Sequence, residues 1–347
     1  MTSVSIVINN YNYGRYLGEA INSALNQTIR DVEIIVVDDG STDQSRDVIR
    51  GFGNVIKPLF KINGGQASTL NAGFAETHGE IIIFLDADDL LSPSVAEWVV
   101  KAFLANLEMS KVQYRMEVID AGGNQLGIVK PDPRLRVPTG NVQRQELTFP
   151  FDIPWLPTSG NAFSAQVLHK IMPIPESYGQ VGADWYLAHI AALFGPVDFV
   201  DRVGAYYRVH GSNHYEREGQ EIDLDQIRQT IQYAAQTNRY LKEYASRYGL
   251  AALQDDILSV SYIANRMISV RLDPSHHPVR GDTASKLFRL GIKASCRRFD
   301  VSFAMRSAFA GWFIGMLIAP SRITRWLAVQ FLFSSKRKWF NKIIDQL

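Results

Sequence analysis

The chain has 347 residues, enough for one large domain with an appendage or two modest domains, and enough to bury a core without covalent staples. Its lone cysteine, Cys296, excludes an intramolecular disulfide framework, and no Cys/His cluster suits a structural zinc. The net charge of +1 hides an asymmetry: Lys286–Leu347 holds twelve Lys and Arg against Asp300 and Asp345, a net +10, which leaves −9 on residues 1–285.

The N-terminus shows no basic, apolar leader and runs directly into Val4–Ile8, so no signal peptide and a cytosolic setting are expected. Val4–Ile8 predicts a strand, Tyr16–Asn26 a helix, Val32–Val37 a strand and Asp43–Phe52 a helix. Val55–Phe60, a helical stretch over Ala67–Thr77 and the strand Glu80–Leu85 follow. The apolar runs are β-branched and nearly continuous, as strands covered on both faces are. Strand–helix alternation with short loops predicts an α/β fold with a doubly wound, mostly parallel sheet, whose ligands bind beyond the carboxyl ends of the strands. A helix over Pro93–Ala105 comes next, then a hairpin of Val112–Ile119 and Gln125–Val129 around Ala121–Asn124. Residues 130–160, with six prolines, read as a mobile loop region on the acceptor side. Helical patterns resume near Ser164 and Asp184, short strands are expected at Val197–Val200 and Ala205–Val209, and beyond Asp223 the chain reads as almost wholly helical.

Two of the apolar runs end in acids. Val32–Val37 leads into Asp38-Asp39-Gly40-Ser41-Thr42-Asp43, and Ile81–Leu85 into Asp86-Ala87-Asp88-Asp89. Asp43 and Asp89 have a structural reading as caps of the following helices. Crowded carboxylates repel, however, and a hard divalent cation, Mn2+ or Mg2+, would relieve them together with phosphate oxygens and water. No G-x-G-x-x-G or P-loop lysine pattern follows any strand, which disfavours dinucleotide and ATP sites.

At this point the sequence resembles the family 2 glycosyltransferases, which have a GT-A fold. The resemblance is carried by Ser3–Asn12, Ser23–Thr28, Glu33–Asp43, Asn63-Gly64-Gly65 with Asn71-Ala72-Gly73, and Gly79-Glu80 through Phe84–Asp89. These blocks stand in order over residues 3–89; beyond them the likeness weakens and stops near residue 215. It implies that Asp39 accepts from the N3–H of a uracil-type base flanked by Asn9 and Tyr11, and that Asp38 supports the turn or the ribose. Asp86 would contact the ribose or metal-bound water, and Asp88 would bind a metal bridging the donor diphosphate. The family keeps an acidic base at a later helix start; here Gly182-Ala183-Asp184-Trp185 matches, with Ala183 in place of the first acid of the usual pair, so Asp184 is the implied catalytic base and Trp185 a stacking surface for a sugar. Asp184 also has a reading as a helix N-cap. Tyr207–Asn213 resembles the segment that closes many such domains, which carries His210 to the metal or pyrophosphate. The Gly64-Gly65 pair is either a phosphate contact or simply a turn. His214, His276 and His277 read as exposed loop histidines.

The expected organisation is a GT-A-like domain over 1–215, split into a nucleotide-sugar half (1–110) and an acceptor half (111–215), followed by a helical region over 216–347. The expected activity is inverting transfer of a sugar, from a UDP-sugar by preference, to a hydroxyl acceptor. A sugar-1-phosphate nucleotidyltransferase would want a glycine- and arginine-rich loop where this chain has Asn9-Asn10-Tyr11-Asn12, and a non-catalytic scaffold would not need Asp39, Asp86, Asp88 and Asp184.

In the basic tail, Ser307–Ser321 is uncharged and strongly apolar but fifteen residues long, short of the ~20 that a spanning helix needs. With Trp326–Phe333 and Lys336-Arg337-Lys338-Trp339-Phe340 it combines apolar faces, aromatics and cations, so peripheral membrane contact through 286–347 is expected at the inner face of a cell membrane, with a glycan or lipid-linked glycan as acceptor in surface-polysaccharide synthesis. Nucleic acid is not an expected partner, because long apolar runs interrupt the cations.

Overall fold

A computed structural model describes residues 3–133, 135, 137–179, 182–211, 222–250 and 258–333. Cα packing separates two units, 1–146 with 153–216, and 147–152 with 217–347.

The first unit is built on a nine-stranded sheet. Its strands are β1 (Val4–Asn10), β2 (Val32–Asp38), β3 (Lys57–Phe60), β4 (Ile81–Asp86), β5 (Leu90–Leu91), β6 (Lys111–Ile119), β7 (Gln125–Lys130), β8 (Asn161–Ser164) and β9 (Val197–Arg208). Their order is β3-β2-β1-β4-β8-β6-β9-β5, with β7 paired to β6. β3, β2, β1 and β4 run parallel; β8 is antiparallel to both β4 and β6, and β9 runs parallel to β6. The helices of this unit are α1 (Gly14–Leu25), α2 (Ser45–Gly51), α3 (Gly65–Phe74), α4 (Val95–Ala105), α5 (Gln143–Thr148, running into the second unit), α6 (Ala165–Ile171) and α7 (Ala183–Ala191).

Alternation along β1 distributes these helices. Val4, Ile6 and Ile8 point to a core shared with Leu17 and Ile21 of α1 and Val95 and Val99 of α4. Val7 points the other way, to α3, where a Cβ on Gly73 would collide with Val7 Cγ1 and come within 3.1 Å of Val37 Cγ2. Gly73 is therefore the point of closest approach of α3 to the sheet, and an added methyl there would cost about 1–3 kcal/mol through overpacking. All these strand side chains are fully buried, which is why their runs show no polar alternation.

Two sequence expectations change here. Residues 130–160 are not a featureless loop: they carry α5 and 3-10 turns at Pro150–Asp152 and Thr158–Gly160, and bury Val137, Val142, Phe149, Ile153 and Leu156. The prolines punctuate turns between those apolar anchors. The two strands expected between Val197 and Val209 are one, because β9 continues through the exposed Asp201-Arg202 by shifting register against β6 between Tyr114 and Met116.

The second unit is helical: α8 (Leu224–Arg247), α9 (Val260–Leu272), α10 (Ala284–Arg297), α11 (Phe303–Ile318) and α12 (Ser321–Leu332). Asp152 anchors it locally, accepting from the N–H groups of Val260 and Ser261 at the start of α9 and pairing with Arg298 at 2.9 Å. His277 is not an exposed loop histidine: its side chain is 5% exposed and meets Asp282 at 3.1 Å, beside Arg266. His276 is exposed, and His214 lies outside the described residues.

Candidate active site

β1 lies between β2 and β4, and its last residues fix the spacing of the acids. Asn10 is in register with Asp38, and Asn9 with Asp86. The two acid-tipped strand ends are therefore neighbours of one strand on one sheet edge.

At the end of β2 the carboxylates are saturated. Asp38 is fully buried and accepts from Asn10 Nδ2 at 3.0 Å, Ser41 N–H at 3.3 Å and Arg46 Nε at 3.1 Å. Asp39, also buried, accepts from the amides of Gly64 and Gly65, the latter at 2.7 Å, and from Lys61 Nζ at 2.5 Å. The Gly64-Gly65 amides thus serve this carboxylate. Asn12, with φ 59°, accepts the Thr42 N–H at 2.7 Å, and Asp43 accepts the Gly14 N–H at 2.9 Å. The loops after β1 and β2 are consequently stitched together. Gly40, at φ 76°, brings its Cα so close to Asn63 that a Cβ would meet the Asn63 backbone nitrogen at 2.8 Å. Asp43 is not the cap of α2, a position held by Gln44; it stands one residue earlier and accepts the Ser45 N–H at 3.0 Å.

The end of β4 is different. Asp86 is hydrogen-bonded by the Asn9 side chain and by Gln66 Nε2 at 3.3 Å. Burial, with the nearby charges of Asp88 and Asp184, pushes its carboxyl up to about 7. Asp89 is buried, accepts the Arg208 N–H at 2.9 Å, and is held well above the usual carboxylate range by burial and by the charges of Asp88 and Asp86. It therefore ties the turn between β4 and β5 to the end of β9 rather than capping α4. Asp88 Oδ2 meets His210 Nε2 at 3.0 Å. The His210 ring stacks on Tyr16 at 5.0 Å and meets Tyr13 edge-on at 5.4 Å. The buried Arg208 donates to the Asp88 carbonyl at 2.8 Å and to Glu19 at 2.7 Å. Burial and the three aspartates raise the Tyr13 phenol far above its ordinary value, so it stays protonated.

Asp184 occupies the first turn of α7 but is not its cap; Gly182, at φ 104°, holds that position. One Asp184 oxygen accepts the Trp185 N–H at 2.9 Å, and burial raises its carboxyl above the usual range. Gln66 ties this helix to β4: its Oε1 accepts the Ala183 N–H, and its Nε2 reaches Asp86 and Thr158, each at 3.3 Å. Trp185 lies 5.7 Å from the His189 ring.

The structure therefore gathers Asn9, Asp38, Asp39, Asp86, Asp88, His210 and Asp184 around one sheet edge. Asn9 turns to Asp86 rather than to Asp39, and Tyr11 is 44% exposed beside them. Gln66, Lys61, Arg208 and Ser159, whose hydroxyl accepts the Asp86 N–H at 3.1 Å, went unnoticed in the sequence. Lys61 and Gln66 flank the conspicuous Gly64-Gly65, and Arg208 closes the Gly204–Tyr207 stretch of β9 two residues before His210. Among the described residues no group of three His, Cys, Asp or Glu is already arranged around an ion position. The donor set nonetheless fits a hard cation. Asp88 and His210 touch; nearby, burial and like charge raise the Asp86 and Asp89 carboxyls, and burial raises that of Asp184.

Comparison with known proteins gives the family and the fold. A model of the family described as Glycosyl transferase family 2 matches residues 5–160. An uncharacterized glycosyltransferase of Nostoc sp. is 35% identical over 267 residues, which cover 75% of this chain and 80% of that protein. The chondroitin synthase of Pasteurella multocida is 40% identical over 112 residues, 31% of this chain but only 12% of the synthase. Among solved structures, S. aureus TarS 1–349 in complex with UDP-GlcNAc has a TM-score of 0.55 at 15% identity, over 95% of this chain and 91% of that one. The fold is of the GT-A type, and the chain belongs to glycosyl transferase family 2.

Proposed function

We propose that this glycosyltransferase moves a sugar, with inversion, from a nucleoside-diphosphate sugar, UDP-linked by preference, to a hydroxyl of a glycan acceptor. The observation that carries the reading is the register of β1, which sets Asp38 and Asp86 on either side of Asn9 and Asn10 at one edge. Asp39 accepts the N3–H of the base in exchange for its present contact with Lys61, while the two glycine amides hold the carboxylate in place and Tyr11 covers the base. Asp38 holds the turn, and Asp86 with Asn9 takes the ribose side. Asp88 and His210 are the residues that would hold Mn2+ or Mg2+, which when bound acts as a Lewis acid on the departing diphosphate.

Asp184 is the general base. Its raised carboxyl has a stronger proton affinity than a solvated aspartate, which suits removal of a proton from the acceptor hydroxyl as that oxygen attacks the anomeric carbon. The Trp185 face adjoins it and suits a sugar ring. TarS, crystallised with UDP-GlcNAc, and the chondroitin synthase are consistent with a UDP-sugar donor and a glycan acceptor. A lipid-linked glycan at the inner membrane face, within surface-polysaccharide synthesis, is the acceptor class favoured by the basic tail.

A panel of nucleotide sugars with and without Mn2+, followed by anomeric analysis of any product, tests this. A metal-dependent product of inverted configuration is expected. Tight nucleoside-diphosphate binding that yields neither transfer nor sugar release would overturn the catalytic reading in favour of a scaffold.

A further inference from the structure

The C-terminal helices carry a surface that the transfer reaction does not use. From Ser307 onward α11 carries no charge on any side, yet it buries only Phe313 and Met316. A helix apolar on every side belongs inside a core or a membrane. Here Ile314 and Ile318, one turn apart, are 47% and 74% exposed. α12 adds Ile323 and Trp326, each 50% exposed, with the exposed Arg322 and Arg325 beside them.

The two helices pack on each other. Trp312 Nε1 donates to the Leu327 carbonyl at 3.0 Å, and the Trp312 ring lies 4.6 Å from Phe331. Arg271 of α9 donates to the Ala319 carbonyl at the corner between them. The charge of this segment has one sign: no acid occurs from Val301 to Phe333, and Lys336-Arg337-Lys338-Trp339-Phe340 follows in sequence. No helix among the described residues is long and apolar enough to cross a membrane.

The geometry points to an anionic bilayer surface as the occupant of this α11–α12 face. Ile314, Ile318, Ile323 and Trp326 enter the boundary between headgroups and acyl chains, while Arg322 and Arg325 stay at the level of the lipid phosphates. A second copy of the chain fits worse, because a two-fold contact would set this cation-only surface against itself. The inference is independent of the transfer reaction: it requires neither donor nor acceptor.

The test is co-sedimentation of the full chain with vesicles of phosphatidylglycerol and phosphatidylcholine, against phosphatidylcholine alone. Binding to the anionic vesicles that weakens with salt is expected. Joint Ile318→Asp and Trp326→Asp substitution should lower the binding constant by at least about tenfold. The Arg322→Glu, Arg325→Glu pair should lower it by on the order of tenfold or more and flatten the salt dependence. These side chains are exposed, so unchanged thermal melts should accompany both losses, and sugar release from a soluble donor should stay at the wild-type level. The inference fails if the wild-type chain ignores anionic vesicles, if both variants bind like wild type, or if the apolar pair instead converts a dimer to a monomer.

Discussion

The carboxyl ends of β2 and β4 lie one strand apart, and each carries a run of aspartates, yet their surroundings are opposite. At β2 the buried Asp38 and Asp39 have their oxygens filled by backbone amides, Asn10, Arg46 and Lys61. At β4, Asp86, Asp88 and Asp89 crowd together with Asp184 nearby, and both Asp86 and Asp89 hold protons more tightly than aspartates usually do. The first end has its negative charge offset by donors already in place. The second crowds acids that burial and mutual repulsion keep from ionising together. Identical residue types thus acquire different chemistry from the donors that the neighbouring loops supply.

Substitutions at the two ends should separate accordingly. The largest effect is expected on the acceptor side of the β4 cluster: Asp184→Asn should lower the transfer rate by about 10²–10⁴, with donor affinity by calorimetry unchanged. Asp88→Ala should follow, with a loss of about 10²–10³ in kcat and no remaining response to added Mn2+. Asp39→Asn should behave as a β2 variant, weakening donor binding about tenfold or more, with or without metal, while kcat at saturating donor changes little. A loss of metal dependence in Asp39→Asn would break the contrast.

The smallest effect sharpens it. Because the Asp86 carboxyl is raised from 3.8 to about 7, the folded chain binds this proton more tightly than the unfolded one. Its contribution to stability is therefore full below about pH 4 and is lost as pH rises through about 7. Asp86→Asn, which mimics the protonated form, should raise Tm by a few degrees at pH 8 and leave it unchanged at pH 4. Mn2+ at pH 8 should raise the Tm of the wild type similarly, and that gain should vanish in Asp88→Ala.

Much of this edge was legible in the sequence because parallel strands covered on both faces leave long runs such as Ile81–Leu85, and their polar ends stand out against them. The partners of the acids were not. Lys61, Gln66 and Ser159 reach the site through chain folding over tens of residues, and nothing in their local pattern distinguishes them from turn residues. β5 and β8 were missed because two and four residues are too few to show a period. β9 was split because Asp201-Arg202 resembles a turn, whereas the exposed pair rides a register shift. Prolines in 130–160 hid a packed segment, since apolar anchors spaced irregularly match no helix or strand period.

Gln66 has a consequence of its own. A single amide holds the β4 aspartate with one end and the first turn of α7 with the other. A ribose hydroxyl that competes for Asp86 must also disturb the seat of Asp184, so the two substrates are expected to sense each other. Such linkage is reciprocal: saturating donor should alter the apparent acceptor constant by the same factor that acceptor alters the donor constant. Gln66→Met should uncouple them, and equal coupling factors in that variant and the wild type would show that the message travels by another route.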